Sequence, residues 1–398
     1  MKKILIIGAG FLQSFVIKKA REMGYYTIAI DKNPESIGFK YAHTHKAIDI
    51  VNIEECLRYA REMKIDGVMT AATDYGVLST AYIAQEMDLP GLDYKSAKVV
   101  KNKYMVRRML FKNKVDDLSQ YYEISNLNEL KKINSTMQFP VMIKPCDGSG
   151  SKGVQRVDSI LDLEEASNNA IKASLTGKVL IEDFIEGKEY GVESLVYDGE
   201  IYVLGIIKKS MTSPPDYAEL GHSMPAKLEI EKRIKEIVKT AISVLGINFG
   251  AVNMDILITK DNRISIIDIG ARMGGNLIGS HIIPKSTGID YIGSLIKACI
   301  GDLVKLEKYS TYSTEMKIAT RLLALKPGKV NKLPDFDAIK DEYNVDIYHH
   351  LTVGSTIREY HNNLDGCGYI VSTGKNVKEA EKHAEEVRKL IDESIVRE

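Results

Sequence analysis

Residues 1–95 alternate short apolar runs with helical stretches, and that alternation restricts the fold more than any other feature of the chain. Ile4–Ile7 reads as a strand and stops at Gly8-Ala9-Gly10. A helix follows from Leu12 to Met23, closed by Gly24, and then a strand at Tyr26–Ile30 that ends on Asp31. After the Asn33-Pro34 turn come a short strand near Lys46–Ile48, a helix at Ile53–Met63, a strand at Val68–Ala71 and a helix at Val77–Met87. Strand and helix in strict alternation predict a doubly wound parallel sheet covered on both faces. A site on such a sheet lies at the carboxyl ends of its strands. Gly8-x-Gly10 followed by Asp31 invites a dinucleotide reading, but the third glycine position holds Gln13. The turn serves equally to hold an anionic group at a helix N-terminus. Asp74 sits at a later strand end, suited either to hold an amine or to cap the next helix.

A second stretch carries the chemistry. In Val141-Met142-Ile143-Lys144-Pro145 a lysine ends an apolar run, so its stem is buried and its ammonium is aimed. Gly148, Ser149, Gly150, Ser151 and Gly153 follow, separated only by Lys152. Small residues of this kind let backbone N–H groups approach something negative, and a fixed ammonium beside them suits a polyphosphate. No Walker loop spacing is present. Taken alone, the stretch also fits a hairpin turn beside a surface lysine.

Further along, five carboxylates crowd into Glu182–Glu193. Glu182 and Glu189 bracket a bend at Gly187, where the backbone at Ile185 can read an adenine edge and a carboxylate can take ribose hydroxyls; an acidic surface turn is the alternative. Residues 213–226 contain Pro214, Pro215 and Gly221 and read as an irregular loop presenting Glu219 and His222. Gly250–Ile258 and Arg263–Arg272 read as a strand pair, each with an aspartate among apolar neighbours. Period-2 alternation allows Asp255 and Asp268 to share one face, where two such carboxylates call for a cation between them; an edge-strand aspartate facing water is the alternative. All-oxygen ligands beside phosphate suit Mg2+ or Mn2+. A basic helix is expected over Ser96–Phe111, with a solvated cationic face as the plain reading of its lysines. The end of the chain reads as α+β, with a strand over Thr314–Leu325 and a charged helix from Val377 to Val396.

Lys+Arg and Asp+Glu both number 54, so the formal net charge is zero and nothing marks a nucleic-acid or membrane binder. No apolar run approaches the roughly 18 residues of a membrane span. The apolar run after Met1-Lys2-Lys3 is four residues long and stops at glycine, so it reads as a strand rather than a secretion signal. Cys56, Cys146, Cys299 and Cys367 lie far apart without metal or redox spacing, as expected of free thiols in the cytoplasm.

Lys103, Lys144, the Gly/Ser loop, Glu182, Glu189, Asp255, Asp268 and Arg272 resemble, in order and approximate spacing, the ATP-grasp superfamily. That family includes biotin carboxylase, carbamoyl phosphate synthetase, D-alanine–D-alanine ligase, purine-pathway enzymes and the L-amino-acid ligases. The resemblance implies an α/β and α+β chain with an ATP-grasp fold. It would consist of a doubly wound N-terminal domain at 1–95 like that of biotin carboxylase and carbamoyl phosphate synthetase, an ATP-grasp domain at 96–305 with a small lid at about 115–183, and an α+β closing domain at 306–398. Lys103 and Lys144 then resemble the phosphate-contacting lysines, residues 148–153 the mobile lid, Glu182 and Ile185 the adenine hinge, and Glu189 the ribose carboxylate. Asp255 and Asp268 take the metal-bridging positions and Arg272 the arginine of the Glu-x-Asn-x-Arg run. In that run Gly270 replaces the usual asparagine. Gly275 and Asn276 resemble the loop near the phosphoryl acceptor, and Glu219–Ala226 resembles a Glu-x-Gly-His-x-x-Pro-Ala segment of the amino-acid ligases.

The resemblance implies ATP and Mg2+, small carboxylate and amine substrates, an acyl phosphate intermediate, and homodimers as a common assembly. Three rivals stay open: a bicarbonate- or formate-activating purine-type enzyme, a dehydrogenase built on Gly8–Asp31, and a non-catalytic nucleotide-binding module.

Overall fold

The structure is a computed structural model that describes residues 1–398 apart from 116, 117, 119, 149, 215 and 304–315. Two compact units divide it, each assembled from three separate stretches: 1–118, 191–205 and 229–313 in the first, and 119–190, 206–228 and 314–398 in the second.

In the first unit the expected parallel sheet is present, in the order Thr44–Ala47, Tyr26–Asp31, Lys3–Ile7, Gly67–Thr70. Ile4, Leu5, Ile6 and Ile7 are wholly buried, as an inner strand covered on both faces requires. Leu5, Ile28, Ile30 and Val68 pack with Cys56, Leu57 and Ala60 of the helix Ile53–Met63. The chain reverses direction across the sheet at the first strand, so the Gly8–Gly10 turn sits at the switch point. The single basic helix expected over Ser96–Phe111 is two helices, Tyr94–Val100 and Lys103–Lys112. Asn102 separates them, because its side chain accepts the Met105 amide and starts a new helix there. The unit also holds the antiparallel pair Gly250–Ile258 and Ile264–Gly270.

The second unit contains an antiparallel sheet in the order Tyr121–Ile124, Val179–Asp183, Val141–Pro145, Gln155–Val157. Val141, Ile143, Val179 and Ile181 turn one face into a core with Leu163, Ala166 and Ala170 of the helix Ile160–Ala173. A further antiparallel run joins Glu219–Met224, Lys317–Leu322, Gly368–Gly374 and Asp346–His349, with the helix Val377–Ser394 adding Ala384, Val387 and Ile391 to the core beside Ile370. The strand expected over Thr314–Leu325 is Lys317–Leu322, while 314 and 315 lie outside the described residues.

One expectation is overturned here. Glu219–Met224 is a strand, not part of an irregular loop. Pro214 and Pro215 precede it and Pro225 follows it, so the prolines bound the strand instead of preventing it. Gly221 is needed inside it, because a Cβ there would stand 2.3 Å from the Thr320 carbonyl oxygen on the neighbouring strand. Cys56, Cys146, Cys299 and Cys367 are all buried and free. Among the described residues no helix is long and apolar enough to cross a membrane.

Candidate functional site

The predicted residues fall into two clusters, one on each unit. In the first unit Asp255 and Asp268 stand directly opposite one another in the antiparallel pair, so their side chains leave the same face. The helix Lys103–Lys112 presents Lys103 to them: its ammonium pairs with Asp268. Arg107 of that helix is 3% exposed and donates to the Ile266 carbonyl at 2.8 Å, anchoring the helix on the aspartate strand. Burial works against a charged Lys103, but Asp268 and Asp74 outweigh it and hold its pKa above the ordinary value.

Asp74 does not cap the following helix: Gly76 takes that position with no side-chain hydrogen bond. Instead Asp74 Oδ2 accepts from Arg272 Nη2 at 3.0 Å. Burial works upward on Asp74, and Arg272, Lys101 and Lys103 hold it well below the usual carboxylate range. Arg272 Nη1 also donates to Asn253 Oδ1 at 3.3 Å, while its buried Nε has no hydrogen-bond partner among the described residues. Gly270 lies against this ion pair. A Cβ on Gly270 would meet Asp74 Oδ1 at 2.8 Å and Arg272 Cζ at 3.0 Å, so the ion pair fills the room a ligand side chain would need.

Sequence reasoning missed the group beneath this pair. Glu193 is wholly buried, and its carboxylate accepts from the Gly274 amide at 2.9 Å, Tyr291 Oη at 2.8 Å and Asn253 Nδ2 at 3.0 Å. Burial pushes Glu193 up to about 7 against these hydrogen bonds. The segment Met273–Asn276 is therefore tied at Gly274, and at Met273, whose carbonyl accepts the Ala72 amide at 3.1 Å. Gly275 and the buried Asn276 follow, Asn276 with φ +48°. The sequence signal for Glu193 was an acid between Gly191-Val192 and Ser194-Leu195, inside an apolar strand.

In the second unit Lys144 lies diagonally across from Glu182, since Lys144 pairs with Leu180 and Met142 with Glu182. Their charged atoms are 2.6 Å apart and both side chains are buried. The glycine loop is anchored at its start by Asp147, which accepts the Leu175 and Thr176 amides at 3.1 and 2.8 Å. Gly150 and Gly153 both take positive φ, and a Cβ on Gly153 would press on Ala173 Cβ at 2.7 Å. Gly148 and Ser151 belong to the described loop, and Ser149 lies outside the described residues. Ile185 is buried two residues past the strand that carries Glu182.

Glu189 and Glu219 share a lysine that sequence reasoning passed over. Lys209 Nζ lies 2.6 Å from an oxygen of each, with its side chain 2% exposed. A bulge makes this possible. Lys209 pairs with His222, Ser210 with Gly221 and Met211 with Glu219, so Leu220 has no partner. The extra residue returns Glu219 and His222 to the face that carries Lys209. Burial works upward on Glu219, but Lys209 and His222 hold it well below its ordinary value. His222 Nε2 lies 3.6 Å from Glu219 Oε2, and neither ring nitrogen has a hydrogen-bond partner among the described residues.

The Gly8–Asp31 turn is arranged against dinucleotide use. Asp31 Oδ2 accepts the Ala9 amide at 2.8 Å and Oδ1 accepts the Asn33 amide at 3.0 Å. The acid that would meet a ribose thus stabilises its own turn, and Gln13 Nε2 donates to the Ala71 carbonyl at 2.6 Å.

Residues 137–280 match the family model for the ATP-grasp domain, and residues 321–395 match that for the L-amino acid ligase C-terminal domain 2. The chain is 25% identical over 361 residues to the uncharacterized protein y4rH of Sinorhizobium fredii, covering 87% of this chain and 73% of the relative. It is 21% identical over 330 residues to the carbamoyl phosphate synthase large chain of Thermoanaerobacter pseudethanolicus, covering 77% of this chain but only 30% of that longer protein. Among solved structures, the L-amino acid ligase from Bacillus licheniformis superposes with a TM-score of 0.75 or better, namely 0.85, at 24% identity over 100% of this chain and 99% of that one.

Proposed function

We propose that the chain is an ATP-grasp carboxylate–amine ligase that activates a small carboxylate as an acyl phosphate and couples it to an amine, with an amino acid as a substrate, a reading supported by the ATP-grasp match over residues 137–280 and the L-amino acid ligase C-terminal domain match over 321–395. The observation that carries this reading is the direct register of Asp255 and Asp268 beside Lys103. ATP-grasp enzymes use ATP with Mg2+. Two carboxylates leaving one strand pair on one face form a hard all-oxygen donor set that fits such an ion. When bound, the ion neutralises charge on the β- and γ-phosphates.

The chain's own groups take the remaining roles. Glu182 and the backbone at Ile185 hold the adenine, and Glu189 the ribose. Lys144, Lys103 and the amides of Gly148, Ser149, Gly150, Ser151 and Gly153 neutralise and position the phosphates, which is most of what phosphoryl transfer asks of a protein. A carboxylate oxygen of the acid attacks the γ-phosphorus, and the bond from phosphorus to the ADP oxygen breaks. The amine then attacks the acyl carbon, the carbon–oxygen bond to phosphate breaks, and the amine gives up a proton. Arg272 stabilises the oxyanion formed in that step, a role supported by its Nε, which has no hydrogen-bond partner among the described residues. Asp74, Glu219, His222, Gly275 and Asn276 shape the acid and amine pocket. In functional terms, 1–95, 96–305 and 306–398 remain the proposed divisions.

The test is ADP release from Mg-ATP against pools of amino acids and small carboxylates, each with and without an amine pool. Release that needs both an acid and an amine is the expected result. Release with bicarbonate or formate alone would replace this reading by the purine-type one.

A further inference from the structure

Lys209 holds two acids to which the proposed function gives different partners. Glu189 is read as the ribose carboxylate, and Glu219 as part of the acid and amine pocket. Lys209 Nζ lies 2.6 Å from Oε1 of each. We propose that Lys209 is a positioning residue that locks Glu189 and Glu219 into one unit, so that nucleotide affinity and the acid–amine pocket are coupled through a single buried ammonium. This rests on the assignment of Glu189 to the ribose.

The geometry supports coupling rather than a chance contact. Glu219 is held on every side. Asn363 Nδ2 donates to its Oε2 at 3.0 Å, its own amide donates to Asn363 Oδ1 at 3.2 Å, and Tyr360 Oη donates to its carbonyl oxygen. An acid held this firmly fixes the ammonium it touches, and the ammonium in turn fixes Glu189. Lys209 and Glu219 are themselves set by strand pairing, Lys209 opposite His222 and Met211 opposite Glu219. The neighbouring lysine shows the contrast: Lys208 points to the other face, is exposed, and pairs with Glu381 at 2.8 Å. Glu189 and Glu219 also present oxygens within 4.8 Å of each other. Without the ammonium, two half-buried carboxylates at that separation repel and turn apart or share a proton. Either response moves Glu189, although its own side chain is unchanged.

The experiment measures ADP binding in the presence of Mg2+ by calorimetry for the wild-type chain, Lys209→Met, Lys209→Arg, Glu219→Gln and Glu189→Gln. Thermal unfolding is run alongside each. Coupling through one shared group corresponds to about 5–150-fold in affinity. Lys209→Met and Glu219→Gln are expected to weaken ADP within that range, and Lys209→Arg to restore most of the loss that methionine causes. A merely structural lysine would lower the unfolding midpoint in Lys209→Met without this pattern of rescue or the effect of Glu219→Gln. If Glu189→Gln weakens ADP while Lys209→Met and Glu219→Gln bind it like wild type, the coupling is wrong and the ribose assignment stands. If Glu189→Gln binds ADP like wild type, the ribose assignment fails and takes the proposal with it. Should Lys209→Met not fold, Lys209→Arg and Glu219→Gln still decide, because the first must bind ADP well and the second poorly.

Discussion

Asp74 and Arg272, separated by 198 positions in the chain, meet in a 3.0 Å ion pair inside the first unit. Asp74 takes Nη2 of the guanidinium while Asn253 takes Nη1. Asp74→Asn keeps the shape but removes the charge that holds Arg272. Its kcat is expected to fall with ADP affinity unchanged. Arg272→Ala is expected to lose about 10²–10³-fold in kcat, the usual cost of deleting one oxyanion donor. Steady-state kinetics with an ADP titration check both, and a fall in ADP affinity equal to the fall in kcat would count against the oxyanion role.

Lys144 illustrates why a deletion must be paired. Lys144→Ala strands Glu182, whose side chain is 3% exposed, as a buried carboxylate without its cation. Breaking a buried pair in this way costs about 3–5 kcal/mol. The single variant should therefore unfold in less denaturant as well as lose turnover. Lys144→Met combined with Glu182→Gln should regain stability but not turnover. Denaturant midpoints and ADP release, measured on the same preparations, separate the two effects; a double variant that regains both would remove Lys144 from the phosphate site.

Glu193 makes stability depend on pH. Burial raises it from 4.5 to about 7. Between those values the folded chain keeps a proton that the unfolded chain has lost. Stability from this group is therefore highest at the acid end of the window and declines as pH rises through it, with the full loss reached above about 7. Glu193→Gln cannot ionise. The difference in unfolding free energy between wild type and Glu193→Gln should change across this window and level off on either side. Parallel pH curves would contradict the raised pKa.

Gly270→Asn introduces the asparagine of the ATP-grasp run that this segment resembles, yet it should lower turnover. Its Cβ would stand 2.8 Å from Asp74 Oδ1 and 3.0 Å from Arg272 Cζ, so the ion pair has to move. Turnover is expected to fall by about the 10²-fold that misplacing a catalytic group costs. An unchanged or higher kcat for Gly270→Asn would show that the pair is not needed in this position.

Local pattern made part of this site legible. Period-2 alternation placed Asp255 and Asp268 together, and they are in direct register. The apolar run ending at Lys144 announced an aimed ammonium, though not that Glu182 receives it. The parallel sheet was readable because three of its four strands are followed by α-helices of 10 to 12 residues. What could not be read depends on partners distant in sequence. Glu219–Met224 carries turn-forming neighbours and becomes a strand because Lys317–Leu322, about a hundred residues later, offers it an edge. Lys209 gave no signal of its own, because one of its acids comes from the strand Lys188–Tyr197 and the other from the strand Glu219–Met224. Glu193 gave an even weaker signal, since its three donors come from three separate segments.

The bulge at Leu220 makes chain length, rather than residue identity, the property on which this pocket depends. Glu219 and His222 face the same way only because an odd residue stands between paired positions. Substituting Leu220 by another apolar residue keeps that parity. Deleting it leaves Glu219 two residues from His222, so plain alternation keeps both on that face, whereas a residue inserted there and paired in the ladder inverts the parity and turns Glu219 away from Lys209. Chains descended from this one can therefore exchange side chains around the pocket in small steps. A gain of a single codon between Glu219 and His222 is a discontinuous change while the loss of Leu220 is not, and a screen of insertions and deletions should find this short strand far less tolerant of the first than of the second.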